Sequence, residues 1–241
     1  MTAALLKADG LTRRFGGLTA VDRVSFEVEP GELVSIVGPN GAGKTTLFNL
    51  LTGQLRPSEG EVYLREQRIT RLRPHQRAGL GMARTFQIVR PLMSLSVRDN
   101  AMVGAFLRHR GRRAAERHAM RTLETLGFAD RADVPASELT LSERKRLEVA
   151  RALAGEPQVL LLDEVMAGLN PREAGEAVEI VRRLNAGGLT VLLIEHNLKV
   201  VRALAERVIV LDHGATIAAG ATEDVLQDPQ VVEAYLGARK A

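Results

Sequence analysis

The chain of 241 residues is 45% apolar, enough to fill the core of one large domain or two small ones, and its net charge is only +4. Aromatic residues make up 3% and tryptophan and cysteine are absent, so the core must be aliphatic, and disulfides and cysteine-ligated metal sites are excluded. The lack of cysteine fits a reducing compartment. The longest apolar runs, residues 159–162 and 191–194, fall far short of the ~18 residues of a membrane span. The opening MTAALLKADG has no signal-peptide core, so the chain reads as soluble and cytosolic.

In chain order, VSFEV (24–28) and ELVSIV (32–37) read as strands around a turn at Pro30-Gly31. A helix is expected to open at Gly43 and to end near Gly53, with a short strand following at 61–64. From about residue 92 to 154 the pattern becomes helical, with Ser96 as one cap. The basic run RHRGRRAAERH (108–118) reads as a solvated face or as a contact for a partner or lipid headgroups. No aromatics interleave with its arginines to stack on bases, which argues against nucleic acid. Beyond residue 158, strands (158–164, 189–195 and RVIVLDHG) alternate with helices (171–185 and 197–205). Wholly apolar strands alternating with helices imply a parallel sheet covered on both faces. The fold class is α/β, with an N-terminal antiparallel β lobe and with a helical lobe (88–155) inserted into a core made of 1–87 and 156–241.

The loop Gly38, Pro39, Asn40, Gly41, Ala42, Gly43, Lys44, Thr45, Thr46 fits G-x-x-x-x-G-K-[ST]. Gly41 and Gly43 allow the backbone to aim successive N–H groups at phosphate oxygens, and the helix that follows adds the positive end of its dipole. Lys44 would reach the β- and γ-phosphates and the Thr45 hydroxyl would bind Mg²⁺, which makes this a P-loop NTPase. QVLLLDE (158–164) would deliver Asp163 and Glu164 to the end of a strand where such sheets bind ligands. Asp163 would hold the Mg²⁺ shell, and Glu164 could act on a water as general base. No guanine-reading Asn-Lys-x-Asp is present, which argues against a GTPase-type switch.

GPNGAGKTT, RTFQ, the helical stretch, ELTLSERKRLEVARAL, VLLLDE, AGLN and IEHN, in that order, resemble the ATP-binding subunit of an ABC transporter over the whole chain. The resemblance implies ATP and Mg²⁺ as ligands, with Phe15 stacking on adenine and Gln87 ligating Mg²⁺ while reporting on the membrane partner. It further implies that His196 contacts the γ-phosphate and that Lys44, Glu164 and His196 form the catalytic set. Implied partners are a second ATPase subunit, identical or paralogous, two membrane permeases, and indirectly an extracytoplasmic binding protein. The chain would then sit peripherally at the cytoplasmic face. RTFQIVRPLMSLSVRDN, DEVMAGLNP, IEHNLKVV and DPQVVEAYLG are most similar to branched-chain amino acid importers. Urea, amide or lipopolysaccharide systems, other export ATPases and soluble ABC ATPases acting on DNA or ribosomes are the alternatives.

Two motifs depart from the family pattern. Where a Leu-Ser-Gly-Gly-Gln signature usually stands, the chain has Leu139, Thr140, Leu141, Ser142 and Glu143. Thr140 and Glu143 form a capping box, and Arg144–Glu148 is expected as an i,i+4 pair. Glu143 is expected to turn into its own cap, leaving Thr140 and the Ser142 N–H to face the γ-phosphate of ATP on a second subunit. AGLN ends in Asn170, where many relatives have Asp; with Pro171 it reads as a helix start, and as an uncharged contact across a dimer. His213 reads as part of a tight turn with Gly214.

Overall fold

Every side chain of the parallel strands β3 (Leu33–Val37), β7 (Val159–Asp163) and β8 (Thr190–Ile194) is buried, as are the central four of β9 (Arg207–Asp212). The computed structural model describes residues 3–85 and 91–237. Successive residues of a strand face opposite sides, so each strand feeds two cores. Leu160, Leu162, Val191, Leu193, Val208 and Val210 enter one hydrophobic cluster, and Val159, Leu161, Leu192, Ile194, Ile209 and Leu211 enter the other.

The elements preceding the central strands build the second core. β1 (Leu6–Phe15) pairs antiparallel with β2 (Leu18–Val28) and with β4 (Glu59–Leu64), and β5 (Gln67–Arg68) closes a sheet of order β2-β1-β4-β5. The helix α1 (Lys44–Leu51) lies between this sheet and the parallel one, burying Leu47, Phe48, Leu50 and Leu51 in the cluster they share. β1 escapes a period-two reading because its pairing with β2 shifts register between Ala8 and Leu11 and twice more before Phe15.

The second sheet has the order β10-β9-β3-β8-β7-β6, where β6 is Met82–Arg84 and β10 is Ala215–Ala221. Its strands run parallel except β10, which turns back on β9. That hairpin uses His213 and Gly214, with φ of 43° and 83°, the left-handed pair a two-residue turn demands. α2 (Pro74–Gly79) precedes β6, and α3 (Val97–Ala105), α4 (Arg112–Thr125) and α5 (Leu141–Leu153) pack on one another before the chain returns to β7. α6 (Pro171–Ala186), α7 (Leu198–Leu204), α8 (Thr222–Leu226) and α9 (Pro229–Gly237) complete the chain. Among the described residues no helix is long and apolar enough to cross a membrane. The arginines at 112 and 113 open α4, which has no acidic residue in its first turn; together with those at 108, 110 and 117 they keep that end of the helix solvated.

Local capping follows the sequence closely. Ser96 accepts from the Asp99 N–H, Thr140 from Glu143 and Asn170 from Glu173, the last two as full capping boxes. The expected Arg144–Glu148 pair is absent: Arg144 donates to the Ser137 carbonyl at 2.9 Å, and Glu148 pairs with Arg151 at 2.6 Å. Glu148 is buried, so it takes the partner that approaches from its own side of the helix.

Arg77 has no counterpart in the sequence reading. Its fully buried guanidinium donates to the carbonyls of Leu50 (2.8 Å), Leu51 (2.5 Å), Thr70 (2.8 Å) and Leu72 (3.1 Å). Two of these are carbonyls in the last turn of α1, where a cation is favoured. Burial pulls its pKa down to about 10, still well above neutrality, so the group stays charged and holds the far end of the loop helix. Replacement Arg77→Met removes a buried donor from all four carbonyls, of which, among the described residues, Leu50 alone keeps a backbone partner in the Gly53 N–H, and is expected to destabilise the fold by roughly 3 kcal/mol, read as a lowered urea midpoint.

Candidate functional site

All the loops in question leave the C-terminal ends of parallel strands. β3 opens into residues 38–43, β7 ends at Asp163 with Glu164 next, and β8 leads to Glu195 and His196. Open α/β sheets bind ligands at this edge. Asn40 to Thr46, Phe15, Leu18, Ala20, Glu164 and His196 line one cleft there, of about 420 Å³.

The phosphate loop is held by close backbone approach. A Cβ on Gly43 would come within 2.3 Å of the Ala20 carbonyl oxygen, and Gly43 has φ of 97°, so no other residue fits that position. Gly43 is the cap of α1 and, among the described residues, no side chain caps the first-turn N–H groups, which leaves them for an anion. Lys44 is buried, and its Nζ donates to the Gly38 and Pro39 carbonyls at 2.8 Å each. Burial lowers its pKa, opposed by Glu164 and Asp163. A phosphate oxygen can replace those carbonyls with a charge-assisted bond.

Phe15 is 43% exposed and its ring is covered by the Arg13 guanidinium at 4.5 Å. A core role for this aromatic is excluded; at the cleft wall its face can stack on a planar base.

Asp163 is 1% exposed. Its Oδ2 accepts from Arg84 at 2.6 Å, while Oδ1 is buried with no hydrogen-bond partner among the described residues. Burial raises its pKa, with Arg84 pulling the other way. A buried oxygen without a donor, on the strand beside a loop that carries the Thr45 hydroxyl, suits a hard, oxygen-seeking cation such as Mg²⁺. Arg84 also donates to Asn49 Oδ1 at 2.5 Å and lies over the Phe48 ring at 5.6 Å. It therefore ties the acidic strand to α1.

Glu164 takes φ of 50°, a conformation costing a non-glycine residue about 1 kcal/mol or more. Two neighbours hold it: its N–H donates to the Ile194 carbonyl at 3.0 Å, and its carbonyl accepts from Lys145 Nζ at 3.0 Å. The side chain contacts His196 Nε2 through Oε1. Carboxylate and imidazole thus share the cleft mouth, where one can accept a proton and the other can donate to an oxyanion.

Lys145 and Glu195 were not singled out in the sequence. Buried Lys145 reaches from α5 to the Glu164 and Ala167 carbonyls, the latter at 2.5 Å. Burial lowers its pKa. Glu195, also buried, accepts from the Met166 N–H at 3.1 Å, and burial raises its pKa. Together they fix the loop 164–168. Their one sequence signal is a charged residue within an otherwise apolar helical or strand periodicity.

The signature segment lies outside the cleft. Glu143 bonds back to the Thr140 N–H at 2.9 Å and pairs with Arg131 at 3.0 Å, so its charge is turned into its own helix cap. Thr140 is exposed and Ser142 half-buried. Asn170 commits its carbonyl oxygen to the cap of α6. Gln87 lies outside the described residues.

Comparison with known proteins gives a consistent picture. The family described as "ABC transporter" matches residues 21–167, and that described as "Branched-chain amino acid ATP-binding cassette transporter" matches 215–241. The chain is 41% identical to the high-affinity branched-chain amino acid transport ATP-binding protein LivG of Escherichia coli (strain K12), covering 98% of this chain and 99% of that one. It is 38% identical to BraF of Pseudomonas aeruginosa, with the same coverage. Among solved structures, the ADP conformation of MJ1267, an ATP-binding cassette of an ABC transporter, superposes with a TM-score of 0.89 at 34% identity, covering 98% of this chain and all (100%) of that one. A nucleotide-free cassette gives 0.88 at 33%, covering 96% and 98%.

Arg84→Met strands the Asp163 carboxylate and is expected to cost roughly 3 kcal/mol. Because the Asp163 pKa is raised in the fold, stability on its account falls as pH climbs through that value. The variant raises it further, so the stability gap to wild type is expected to widen from acid to neutral pH. The acid limb of any activity that needs the ionised carboxylate is expected to move upward in pH. Chemical denaturation across pH and a pH–rate profile check both.

Proposed function

The chain belongs to the ATP-binding subunits of ABC transporters, and from that premise we propose that it powers import of branched-chain amino acids by binding and hydrolysing ATP. The reaction rests on one observation: the phosphate loop, Phe15, Glu164 and His196 share a single cleft at the strand ends. The substrate class is supported by the match of residues 215–241 and by the names of LivG and BraF.

In this reading Phe15 stacks on adenine, and residues 38–46 wrap the phosphates with backbone N–H groups. Lys44 exchanges the Gly38 and Pro39 carbonyls for phosphate oxygens. Thr45, Asp163 and Gln87 would hold Mg²⁺, which would supply positive charge against the phosphates when bound. Glu164 takes the proton of the attacking water, and His196, held against it, donates to the γ-phosphoryl oxygens as charge develops. Catalysis is then electrostatic positioning around a loose transition state.

Two such chains, or this one and a paralogue, close so that Thr140 and the Ser142 N–H at the start of α5 face the γ-phosphate in the opposite subunit. The cap of α5 supports this arrangement, because Glu143 is engaged by Thr140 and Arg131 and so faces away from a triphosphate. Closure is transmitted to two permease subunits near Gln87 and residues 88–100. A cleft lined by Ala83, Arg84, Val103 and Leu107 opens between β6 and α3, with Val103 and Leu107 exposed. An extracytoplasmic binding protein would deliver the amino acid, and the ATPase would work peripherally on the cytoplasmic side.

Glu164→Gln is expected to keep ATP binding and to accumulate as a closed dimer with phosphate release reduced by ~100-fold or more. Size-exclusion chromatography with MgATP and a phosphate assay read both; brisk turnover would place the base elsewhere. Thr140→Ala combined with Ser142→Pro is expected to abolish ATP-driven dimerisation of that trap, and wild-type dimer levels would sink the assignment of α5. ATP-dependent leucine uptake by vesicles holding the full transporter, with urea and acetamide as competitors, decides the substrate class.

A further inference from the structure

Away from the cleft, three helix segments bring His109, His118 and Glu156 together. His109 follows α3, His118 lies in the middle of α4, and Glu156 stands just beyond α5 with φ of 51°. One candidate ligand atom from each lies within 4.8 Å of the others. His109 Nε2 is 3.0 Å and His118 Nδ1 is 3.4 Å from the same carboxylate oxygen, Oε1 of Glu156. The two rings lie 4.3 Å apart, tilted by 34°.

As a set of hydrogen bonds this arrangement is incomplete. Arg121 approaches His118 Nδ1 at 3.3 Å, and a guanidinium can only donate, so Nδ1 carries the lone pair. That lone pair faces a carboxylate oxygen, acceptor against acceptor. His118 Nε2 is buried with no hydrogen-bond partner among the described residues, so Nδ1 is the nitrogen turned to the cluster.

We propose that His109, His118 and Glu156 bind a divalent transition-metal ion of the Zn²⁺ class. Ligand atoms at ~2.1 Å from a tetrahedral Zn²⁺ sit about 3.4 Å apart, close to the observed 3.0 and 3.4 Å. Three protein ligands leave a fourth position for water, and the 48% exposure of the Glu156 side chain gives the ion a way in. Arg121 is exposed and can swing away from Nδ1 as the ion enters. The ion would bind the ends of α3 and α5 to α4, at the point where the chain passes from the helical segment through Pro157 to β7. None of the three residues belongs to the nucleotide cleft.

The test uses untagged full-length protein, stripped with EDTA, desalted and titrated with ZnCl₂ in a buffer free of phosphate and nucleotide. One Zn²⁺ per chain with a micromolar or tighter Kd is expected, together with a rise in the thermal midpoint. Co²⁺ at the same site is expected to give the visible absorption of a low-coordinate N/O complex. His109→Gln, His118→Gln and Glu156→Gln should each weaken binding at least ten-fold and leave metal-free ATP binding unchanged, while His75→Gln and His213→Gln should bind as wild type. Failure of the wild-type chain to bind saturably overturns the proposal, as does Zn²⁺ binding that survives His109→Gln with Glu156→Gln. If a variant does not fold, the wild-type titration and the Co²⁺ spectrum decide alone.

Discussion

Burial of the central strands on both faces is the constraint from which the remainder follows. A strand sealed on each side by apolar side chains admits no polar group along its length, so polar residues gather where strands end. Ser35 and Thr190 are exceptions that satisfy themselves, donating to the Leu193 carbonyl and accepting from the Gly31 N–H. At the C-terminal edge emerge Gly38, Asp163 with Glu164, and Glu195 with His196. The strand order places these groups on neighbouring strands, β3, β8 and β7, and the cleft is their common outlet.

That edge concentrates charge in a poorly solvated place, and the structure offsets it pair by pair. Arg84 faces Asp163, Lys44 is drawn on by Glu164 and Asp163, and Lys145 by Glu195 and Glu164. Several of these groups have pKa values displaced by burial toward the neutral form. A set of cations and carboxylates held out of water gains from ligands that bring compensating charge, which a metal–triphosphate complex does. Arg77 plays a related part at the opposite end of α1, capping its last carbonyls so that its first turn stays directed at the loop.

Legibility in the sequence tracks the distance over which an interaction acts. The phosphate loop, the caps at Ser96, Thr140 and Asn170, and the turn at His213-Gly214 are local, and their residue types carry them directly. The parallel strands were visible because two-sided burial writes an unbroken apolar run. β1 was not, since its register shifts and its Arg13-Arg14 pair break the alternation. The Arg144–Glu148 pair does not form, because spacing along a helix does not say which side of it is buried.

Residue types and spacing by themselves determined the phosphate loop, the acidic strand end, the helix caps and the alternation of strands with helices, because each depends on neighbours within a few positions. Only the tertiary structure decided that Arg84 meets Asp163, that Lys145 braces Glu164, that Phe15 stands exposed on the cleft wall, and that two histidines share one glutamate oxygen. Those contacts join residues 19 to 79 positions apart or lie on separate helices. They exist through strand order and helix packing, which no local pattern encodes.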